Sequence, residues 1–226
     1  MYAARVQRVL EPEVMDTAEE AESYDAMDHS GPNEAFVTRL LHLGARGRVL
    51  DVGCGPGHVA LLLAAMRPDL DLIGIDLSTH MLRIAEEHRA VSEHGERVRF
   101  ELADAKRLPY ADASCDTVCS NTILHHIPDP VPFLRECGRV LAPGGALLVR
   151  DLFRPESAEA VNALVLQHAG KEAPRAQELF RASLHAALTL EELRAAAAQA
   201  GLADCEIVVD SDRHFSLQRA ALQPRL

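Results

Sequence analysis

Short apolar runs alternate with helical segments through the middle of the chain. The runs predict strands, and the segments between them repeat their apolar residues at helical spacing. The predicted strands cover residues 48–52, 70–76, 97–103, 114–120 and 145–153, and the predicted helices cover 58–66, 78–92 and 130–141. Strands separated by helices form right-handed βαβ units. This order therefore predicts an α/β fold, a doubly wound and mostly parallel sheet with helices on both faces.

The C-terminal part of the chain departs from this alternation. Residues 156–200 have a mostly helical pattern, which ends in TLEELRAAAAQAG with Thr189 as the predicted cap. Two predicted strands follow, 203–210 and 213–220, on either side of a turn signal at Asp210–Asp212. A connection this short permits only a hairpin, so one of the two strands is expected to run antiparallel to the rest of the sheet.

Composition limits the kinds of partner. The chain has 226 residues, enough for one generous domain, and a formal net charge of −11. That charge disfavours nucleic acids and anionic membranes as partners. Aromatic residues make up 4% and tryptophan is absent, which argues against a base-stacking surface. We also find no signal-peptide pattern at the N-terminus, so we predict a cytoplasmic protein.

Five cysteines form neither a CxxC pair nor a disulfide framework. Cys115 and Cys119 share one strand face but lack a closing partner pair at recognised spacing, so we interpret them as core residues and expect no metal.

A glycine cluster follows the first predicted strand in VLDVGCGPG, where Gly53, Gly55 and Gly57 would bring backbone close to a ligand. Asp76 closes the second strand, at the distance where a carboxylate holds ribose hydroxyls in nucleotide-binding folds. The two features together predict a nucleotide-type site, with a plain strand–helix turn as the alternative.

The details of this loop argue against NAD. The spacing is GxGxG, and His58 occupies the position of the third glycine of GxGxxG. Asp51 lies two residues before the first glycine, where a carboxylate would repel a pyrophosphate and attract an ammonium group. We therefore predict a cationic nucleoside that carries an amino acid.

Five motifs in order carry a resemblance to a known family: VLDVGCGPG, IGIDLS, ADAKRLPY, SNTILHHIPDP and RVLAPGGALLV. Together they resemble the class I S-adenosylmethionine-dependent methyltransferases, in particular the small-molecule branch with domains of type 11/25. The resemblance covers about residues 33–153. It implies a Rossmann-like seven-stranded sheet of order 3-2-1-4-5-7-6 with strand 7 antiparallel, with S-adenosylmethionine as the cofactor and S-adenosylhomocysteine as the product.

The resemblance also assigns residues to parts of the cofactor. Asp51 and the Gly53–Gly57 loop would hold the methionine moiety, and Asp76 the ribose hydroxyls. The remaining assignments are Leu77 and Met81 beside the adenine ring, Asp104 and the Ala105 backbone at the adenine amino group, and Asn121 beside the methionine moiety and the acceptor entrance.

The acceptor side is harder to read, because methyl transfer is an in-line displacement that needs a general base only when the nucleophile carries a proton. Candidate catalytic residues are His126, His29 and Arg150, for which structural roles are the alternative. Further candidates are His125, next to His126, and Asp151 and Arg154, which follow Arg150. The Pro-Pro signature of nucleic-acid amino-methylating relatives is missing after Asn121, which favours a small-molecule methyl acceptor.

The family resemblance further implies an N-terminal helical lid over the cofactor. Asp16 or Thr17 would cap a short helix through Asp25, and Tyr24 would approach the cofactor's carboxylate. We predict a lid or cap segment at residues 1–32 and the methyltransferase domain at 33–226, with a first domain helix from Asn33 to about Gly44 and a helical insert at about 156–188. The chain is expected to be a monomer or a homodimer. Aminopropyl or carboxymethyl transfer and a non-catalytic binding role remain alternatives to methyl transfer.

Overall fold

The computed structural model describes residues 6–12 and 17–222. Its strands are β1 (Arg48–Val52), β2 (Asp71–Asp76), β3 (Val98–Leu102), β4 (Cys115–Asn121), β5 (Leu141–Leu152), β6 (Glu206–Val209) and β7 (His214–Arg219). Its α-helices are α1 (Ala18–Asp25), α2 (Ser30–His42), α3 (His58–Met66), α4 (Thr79–Val91), α5 (Pro130–Val140), α6 (Ala158–Ala169), α7 (Pro174–Ala186) and α8 (Leu190–Gln199). Short 3₁₀ turns lie at Gly95–Arg97 and Leu124–His126.

The seven strands form one sheet in the order β3-β2-β1-β4-β5-β7-β6. The first five pair in parallel, and β7 pairs antiparallel with both β5 and β6. The sequence prediction of the fold is confirmed, including the antiparallel seventh strand. Because β1 and β4 are neighbours at the centre, where the strand order reverses, the carboxyl ends of the central strands border a crevice.

The composition of APGG (142–145), between the predicted helix 130–141 and the predicted strand 145–153, indicates a turn, and that interpretation is wrong. These residues belong to β5, which begins at Leu141 and pairs there with Cys115. The next registered pair is Thr117 with Ala146, so the intervening residues of β5 form a bulge, in which Gly144 has a φ of +74°. The predicted helix 130–141 ends one residue early for the same reason.

Two apolar layers cover the sheet. On one face, Phe36 and Leu40 of α2 and Leu63 of α3 are fully buried against the strands. On the other face, α5 and α8 pack through Phe133 and Leu193. Helices on both faces explain why the central strands are apolar on both sides.

Each of the two N-terminal helices begins beside a local side-chain hydrogen bond to the backbone. Thr17 caps α1 by accepting a hydrogen bond from the Glu20 backbone amide, while Asp16, the other predicted cap, lies outside the described residues. α2 begins at Ser30, three residues before the predicted start at Asn33. His29 is the N-cap and makes no side-chain capping bond, but the Asp28 carboxylate just before it accepts from the Ser30 amide and hydroxyl in a polar turn that apolar periodicity does not register.

The predicted helical region 156–200 consists of α6, α7 and α8. Thr189 and Glu192 form a reciprocal capping box at the start of α8, which confirms the predicted cap. Throughout the described part of the chain, we find no helix long and apolar enough to cross a membrane.

Candidate active site

A cleft opens at the carboxyl ends of β1, β2 and β4, and most of the predicted site residues line it. The predicted residues that line it are Tyr24, Asp51, Gly53, Gly55, Asp76, Leu77, Met81, Asp104, Ala105, Asn121 and His126. Gly57, His29 and Arg150 were also predicted and are not part of the lining. The cleft lies where parallel sheets of this type bind their ligands.

The glycine loop wraps the end of β1. The backbone amides of Gly53 and Cys54 both donate to the Ile75 carbonyl at 2.8 Å. Gly53 has a φ of +72°, and a Cβ there would lie 2.4 Å from Ile123. Gly55 has a φ of +51° and faces open space in the cleft. The two glycines thus serve different purposes, close packing at Gly53 and backbone exposure to a ligand at Gly55.

Gly57 lies on the side of the loop that packs against Phe100 of β3. It precedes α3 with a φ of +83°, and a Cβ at this position would lie 2.5 Å from Phe100. Its absence from the cleft lining therefore has a structural reason, since this glycine lets the loop pack on β3.

Asp51 is the most unusual group in the cleft. Its side chain is 2% exposed, and its Oδ1 accepts a weak bond from Cys119 Sγ at 3.7 Å. Its Oδ2 is buried and has no hydrogen-bond partner. Burial raises the pKa of Asp51 from 3.8 to about 7. A buried carboxylate that lacks a partner is costly to ionise, so this position is suited to a cationic group.

The Asp76 carboxylate, at the end of β2, accepts hydrogen bonds from two backbone amides in the cleft. Its Oδ2 accepts from the Gly55 amide and its Oδ1 from the Ser78 amide, both at 2.9 Å. Burial nevertheless raises its pKa above the usual value, against the effect of these backbone bonds. The same carboxylate therefore fixes the glycine loop and leaves its remaining lone pairs for a ligand.

Asp104 marks the outer end of the cleft. Its Oδ1 accepts from the Lys106 backbone amide at 2.9 Å and lies 2.9 Å from the Lys106 ammonium. Burial acts to raise the pKa of Asp104, but these contacts outweigh it and lower the pKa. Asp104 is therefore a carboxylate acceptor at neutral pH.

Two asparagines meet near the inner end of the cleft. Asn121 Nδ2 donates to Asn33 Oδ1 at 3.3 Å, and Asn121 Oδ1 is buried with no hydrogen-bond partner. Asn33, on α2, was not among the predicted site residues. No local sequence signal could identify it, because its partner lies 88 residues away.

Thr122 was also missed by sequence reasoning. It lines the cleft directly after β4 with a φ of +61°, a conformation that β-branched residues rarely adopt. Its hydroxyl donates to the Asn121 carbonyl at 2.7 Å, and its backbone amide donates to the Arg150 carbonyl. Strained backbone of this kind concentrates at functional sites.

Helix α1 borders the cleft. Tyr24 packs against Met81 and Ile84 of α4, and the pKa of its hydroxyl is raised, chiefly by burial. His29 lies outside the cleft lining, stacked on Tyr24 at 4.5 Å with its Nε2 donating to the Tyr24 carbonyl. The geometry places His29 as a support for Tyr24 and places Tyr24 at the cleft.

The two adjacent histidines differ in their surroundings. His125 is 5% exposed, and its Nδ1 lies 2.6 Å from Asp151 Oδ1. Burial acts to lower the pKa of His125, but the Asp151 carboxylate outweighs it and raises the pKa. The pair fixes the turn at Leu124–His126 against β5. Glu11, another residue missed by sequence reasoning, has its Oε2 3.9 Å from His125 Nε2.

His126 faces the cleft. Its Nδ1 lies 3.2 Å from the Pro12 carbonyl and 3.3 Å from Glu11 Oε2. Because a carbonyl oxygen only accepts, Nδ1 carries the proton and Nε2 the lone pair. Burial and the neighbouring His125 lower the pKa of His126 to about 4, so its ring is neutral at pH 7.

The two arginines considered for the acceptor side bind elsewhere. Arg150 donates to the Pro32 carbonyl at 3.2 Å and lies 3.3 Å from His214 Nδ1, on the α2 side of the sheet. Arg154 is buried and pairs with Glu192 at 2.6 Å. Both contacts are tertiary and leave the guanidinium groups outside the cleft lining.

Cys115 and Cys119 are fully buried in β4, as predicted for core cysteines. Burial raises the pKa of the Cys119 thiol well above its usual value, with the Asp51 charge acting in the same direction. Both therefore remain neutral thiols at physiological pH.

A family profile described as "Methyltransferase domain" matches residues 43–199, about two thirds of the chain. The match begins before β1, extends to the end of α8, and includes most of the cleft. The chain belongs to this family. The sequence prediction of a class I S-adenosylmethionine-dependent methyltransferase is thereby confirmed.

The chain is similar in sequence to two named methyltransferases. It is 35% identical over 182 residues to 27-O-demethylrifamycin SV methyltransferase of Amycolatopsis mediterranei, covering 77% of this chain and 63% of the relative. It is 31% identical over 121 residues to the ubiquinone/menaquinone biosynthesis C-methyltransferase UbiE of Geotalea daltonii, covering 53% of this chain and 52% of the relative. The chain thus spans about half to two thirds of these relatives.

The fold is shared with a solved SAM-dependent methyltransferase from Aquifex aeolicus. The TM-score is 0.65 at 18% identity, and the alignment covers 91% of this chain and 99% of that one. At this identity the likeness concerns the fold alone.

Proposed function

We propose that this chain transfers a methyl group from S-adenosylmethionine to a small-molecule acceptor. The observation that carries the proposal is Asp51, a carboxylate with one buried oxygen that has no hydrogen-bond partner, at the inner end of a nucleotide-type cleft. The α-ammonium group of S-adenosylmethionine would supply the positively charged partner that this carboxylate lacks in the protein.

The rest of the cleft fits the remaining parts of that nucleoside. Asp76 would accept from the ribose hydroxyls while its backbone bonds keep it in place. Asp104 would accept from the adenine amino group, with Leu77 and Met81 on either side of the ring. Gly55 would let the backbone approach the ligand without a side chain between them.

The acceptor would enter beside His126, Thr122 and Asn33, beyond the methionine end of the cleft. S-adenosylmethionine supplies a methyl group on a sulfonium, which the acceptor displaces in line. The protein's part is to align the acceptor and exclude water. His126 would accept a proton from an acceptor hydroxyl or amine; the contact of its Nδ1 with the Pro12 carbonyl, which leaves the lone pair on Nε2, supports this role.

A small-molecule acceptor agrees with two independent observations. The chain is strongly acidic, with a formal net charge of −11, which disfavours polyanionic substrates. The relatives named above are called methyltransferases of a rifamycin precursor and of ubiquinone or menaquinone biosynthesis, all small molecules. We propose α1 as the lid of the donor cleft, within a lid or cap segment at 1–32, and α6–α7 as the insert that contributes to acceptor binding.

Calorimetry with three ligands tests the donor part of the proposal. S-adenosylhomocysteine and S-adenosylmethionine should bind with similar affinity, whereas NAD should not bind, because its pyrophosphate would meet Asp51. Tight binding of NAD, or no binding of either sulfur nucleoside, would refute the proposed function.

Donor affinity is expected to depend on pH. In the free protein Asp51 has a pKa of about 7, and an ammonium ligand requires its ionised form. The affinity for S-adenosylhomocysteine should therefore fall about 10-fold between pH 8 and pH 6, with one proton released per ligand bound near pH 6. Titrations in buffers of different ionisation enthalpy would measure that proton. Adenosine, which lacks the amino group, serves as the control and should show no such dependence.

Replacing His126 with asparagine should separate binding from turnover. We expect donor affinity to change less than about 2-fold, and methyl transfer to fall about 100-fold for acceptors that must lose a proton. Release of S-adenosylhomocysteine in the presence of a panel of phenols, alcohols and amines would measure the rate. A variant as active as the parent chain on every responsive acceptor would remove His126 from the mechanism.

A further inference from the structure

Three side chains from separate elements converge at the outer edge of the donor cleft. Asp25 ends α1, His58 begins α3, and His88 lies in the last turn of α4. Asp25 Oδ1 lies 2.9 Å from His58 Nε2, and Asp25 Oδ2 lies 3.3 Å from His88 Nε2. One ligand atom from each of the three residues lies within 4.8 Å of the others. Nothing in the donor-binding scheme uses this group.

The hydrogen bond on the far side of His88 determines which of its nitrogens can bind. His88 Nδ1 lies 3.0 Å from the Pro56 carbonyl. Because the carbonyl only accepts, Nδ1 carries a proton, and the neutral ring presents its Nε2 lone pair to Asp25. Metal-binding histidines usually have this arrangement, with the second nitrogen donating to a carbonyl or carboxylate.

The Asp25 carboxylate adds a second indication. Its Oδ1 is buried and has no partner in hydrogen-bond geometry, although His58 Nε2 is only 2.9 Å away. Lone pairs on the neutral His88 Nε2 and on the Asp25 carboxylate therefore face each other. Because these lone pairs repel each other, a cation between the two groups would stabilise the arrangement.

We propose that Asp25, His58 and His88 bind a zinc ion that fastens α1 to the rim of the donor cleft. Two imidazole nitrogens and one carboxylate oxygen form a donor set that zinc prefers, with water as the fourth ligand. In a tetrahedral site with metal–ligand distances of about 2.0–2.1 Å, neighbouring ligand atoms lie about 3.3 Å apart. The distances of 2.9 and 3.3 Å join the two nitrogens to different oxygens of Asp25. One oxygen and both nitrogens lie within 4.8 Å of one another, so small side-chain rotations would bring the three ligand atoms to that spacing. The proposed ion is structural and takes no part in methyl transfer, for which no metal is expected.

A zinc ion at this site would link α1, the proposed lid, to α3 and α4. α1 also contacts α4 through the Glu22–Arg83 ion pair and through Tyr24, and these two links are an exposed pair and a small apolar contact. Metal bonds from Asp25 to both α3 and α4 would hold α1 far more firmly than an exposed ion pair does. Zinc should therefore slow the opening of α1 over the cleft.

Zinc titration of the untagged, EDTA-stripped chain tests the site, with thermal melts verifying that each variant is folded. The parent chain should bind one equivalent, and His88→Asn and Asp25→Asn should each weaken that binding at least about 10-fold. His80→Asn, on the same helix and outside the group, is the matched control and should bind like the parent chain. His126→Asn tests the other three-residue group among the described residues, Glu11–His125–His126.

Hydrogen exchange measures the clamp itself. Zinc should slow amide exchange in Ala18–Asp25 about 10-fold in the parent chain and in His80→Asn, and leave it unchanged in His88→Asn. The proposal is overturned if the chain binds no zinc, if His88→Asn and Asp25→Asn bind it unimpaired, or if only His126→Asn loses it. Unchanged exchange of α1 in the zinc-bound parent chain would overturn the clamp. Because the probe is the metal alone, none of these results depends on the proposed methyl transfer.

Discussion

Replacing Asp51 with asparagine should weaken binding of S-adenosylhomocysteine by about 100-fold, or roughly 3 kcal/mol. The substitution keeps the shape of the side chain and removes its charge. The ligand's ammonium group would then be buried beside an amide, in a place where the Asp51 carboxylate has only Cys119 as a protein partner. Calorimetry at pH 8, where the parent carboxylate is ionised, measures the difference.

The same substitution should stabilise the ligand-free protein. A carboxyl group whose pKa is raised from 3.8 to about 7 binds a proton more tightly in the folded state than in the unfolded state. Its contribution to the free energy of unfolding therefore decreases as pH rises between those values and is most unfavourable above pH 7. We expect Asp51→Asn to raise the free energy of unfolding at pH 8 by about 1 kcal/mol or more, as measured by urea denaturation.

Asp71→Asn is a matched control for both measurements. Asp71 begins β2 at the opposite edge of the sheet, where it pairs with Arg48 and Arg99 on the surface. It should leave ligand affinity unchanged and alter stability by less than about 1 kcal/mol. If Asp51→Asn instead lowered stability and kept full affinity, Asp51 would be a structural residue and the donor assignment would be wrong.

Alanine at Gly57 should mainly lower stability, whereas alanine at Gly55 should mainly lower ligand affinity. Gly57→Ala should lower the free energy of unfolding by about 3 kcal/mol, because it forces alanine into a φ of +83° and places a methyl group 2.5 Å from Phe100. Gly55→Ala has no such contact and a φ of +51°, so it should cost only about 1 kcal/mol.

Ligand affinity should follow the reverse order. The new methyl group of Gly55→Ala would occupy the space beside the ligand, and we expect at least about a 10-fold loss of S-adenosylhomocysteine affinity, about 1.4 kcal/mol. Folded Gly57→Ala, measured at low temperature, should keep its affinity within a few-fold. Equal effects of the two variants on both properties would show that the loop acts as one rigid turn with no separate binding position.

The fold was predictable because its determinants are local. Alternating apolar runs and helical periods define the βαβ order, and the short connection between the last two strands requires an antiparallel strand. The errors concern places where a tertiary or capping contact overrides the pattern. APGG has the composition of a turn, yet pairing of Leu141 with Cys115 draws it into β5 as a bulge. α2 starts at Ser30, directly after a turn in which the Asp28 carboxylate accepts from the Ser30 amide and hydroxyl, and apolar spacing does not register such a turn.

The sequence by itself determined the sheet and the family, and most of the site residues that it predicted line the cleft. The predicted carboxylates follow strand ends, and parallel strands bring their carboxyl ends to one edge whatever the rest of the chain does. Asp51, Asp76 and Asp104 each lie at such a position.

Only the tertiary structure decided the rest. Asn33 meets Asn121 across 88 residues, Glu11 reaches His126 across an even longer separation, and Asp25 joins two histidines on other helices. It also gave Gly57 a packing role and placed Arg150 on the α2 side of the sheet. Contacts of this kind depend on how helices and loops pack on the sheet. The residues on either side of each partner in the sequence do not indicate which distant residue it will meet. For that reason the proposals for the acceptor side and the zinc site depend on the tertiary structure.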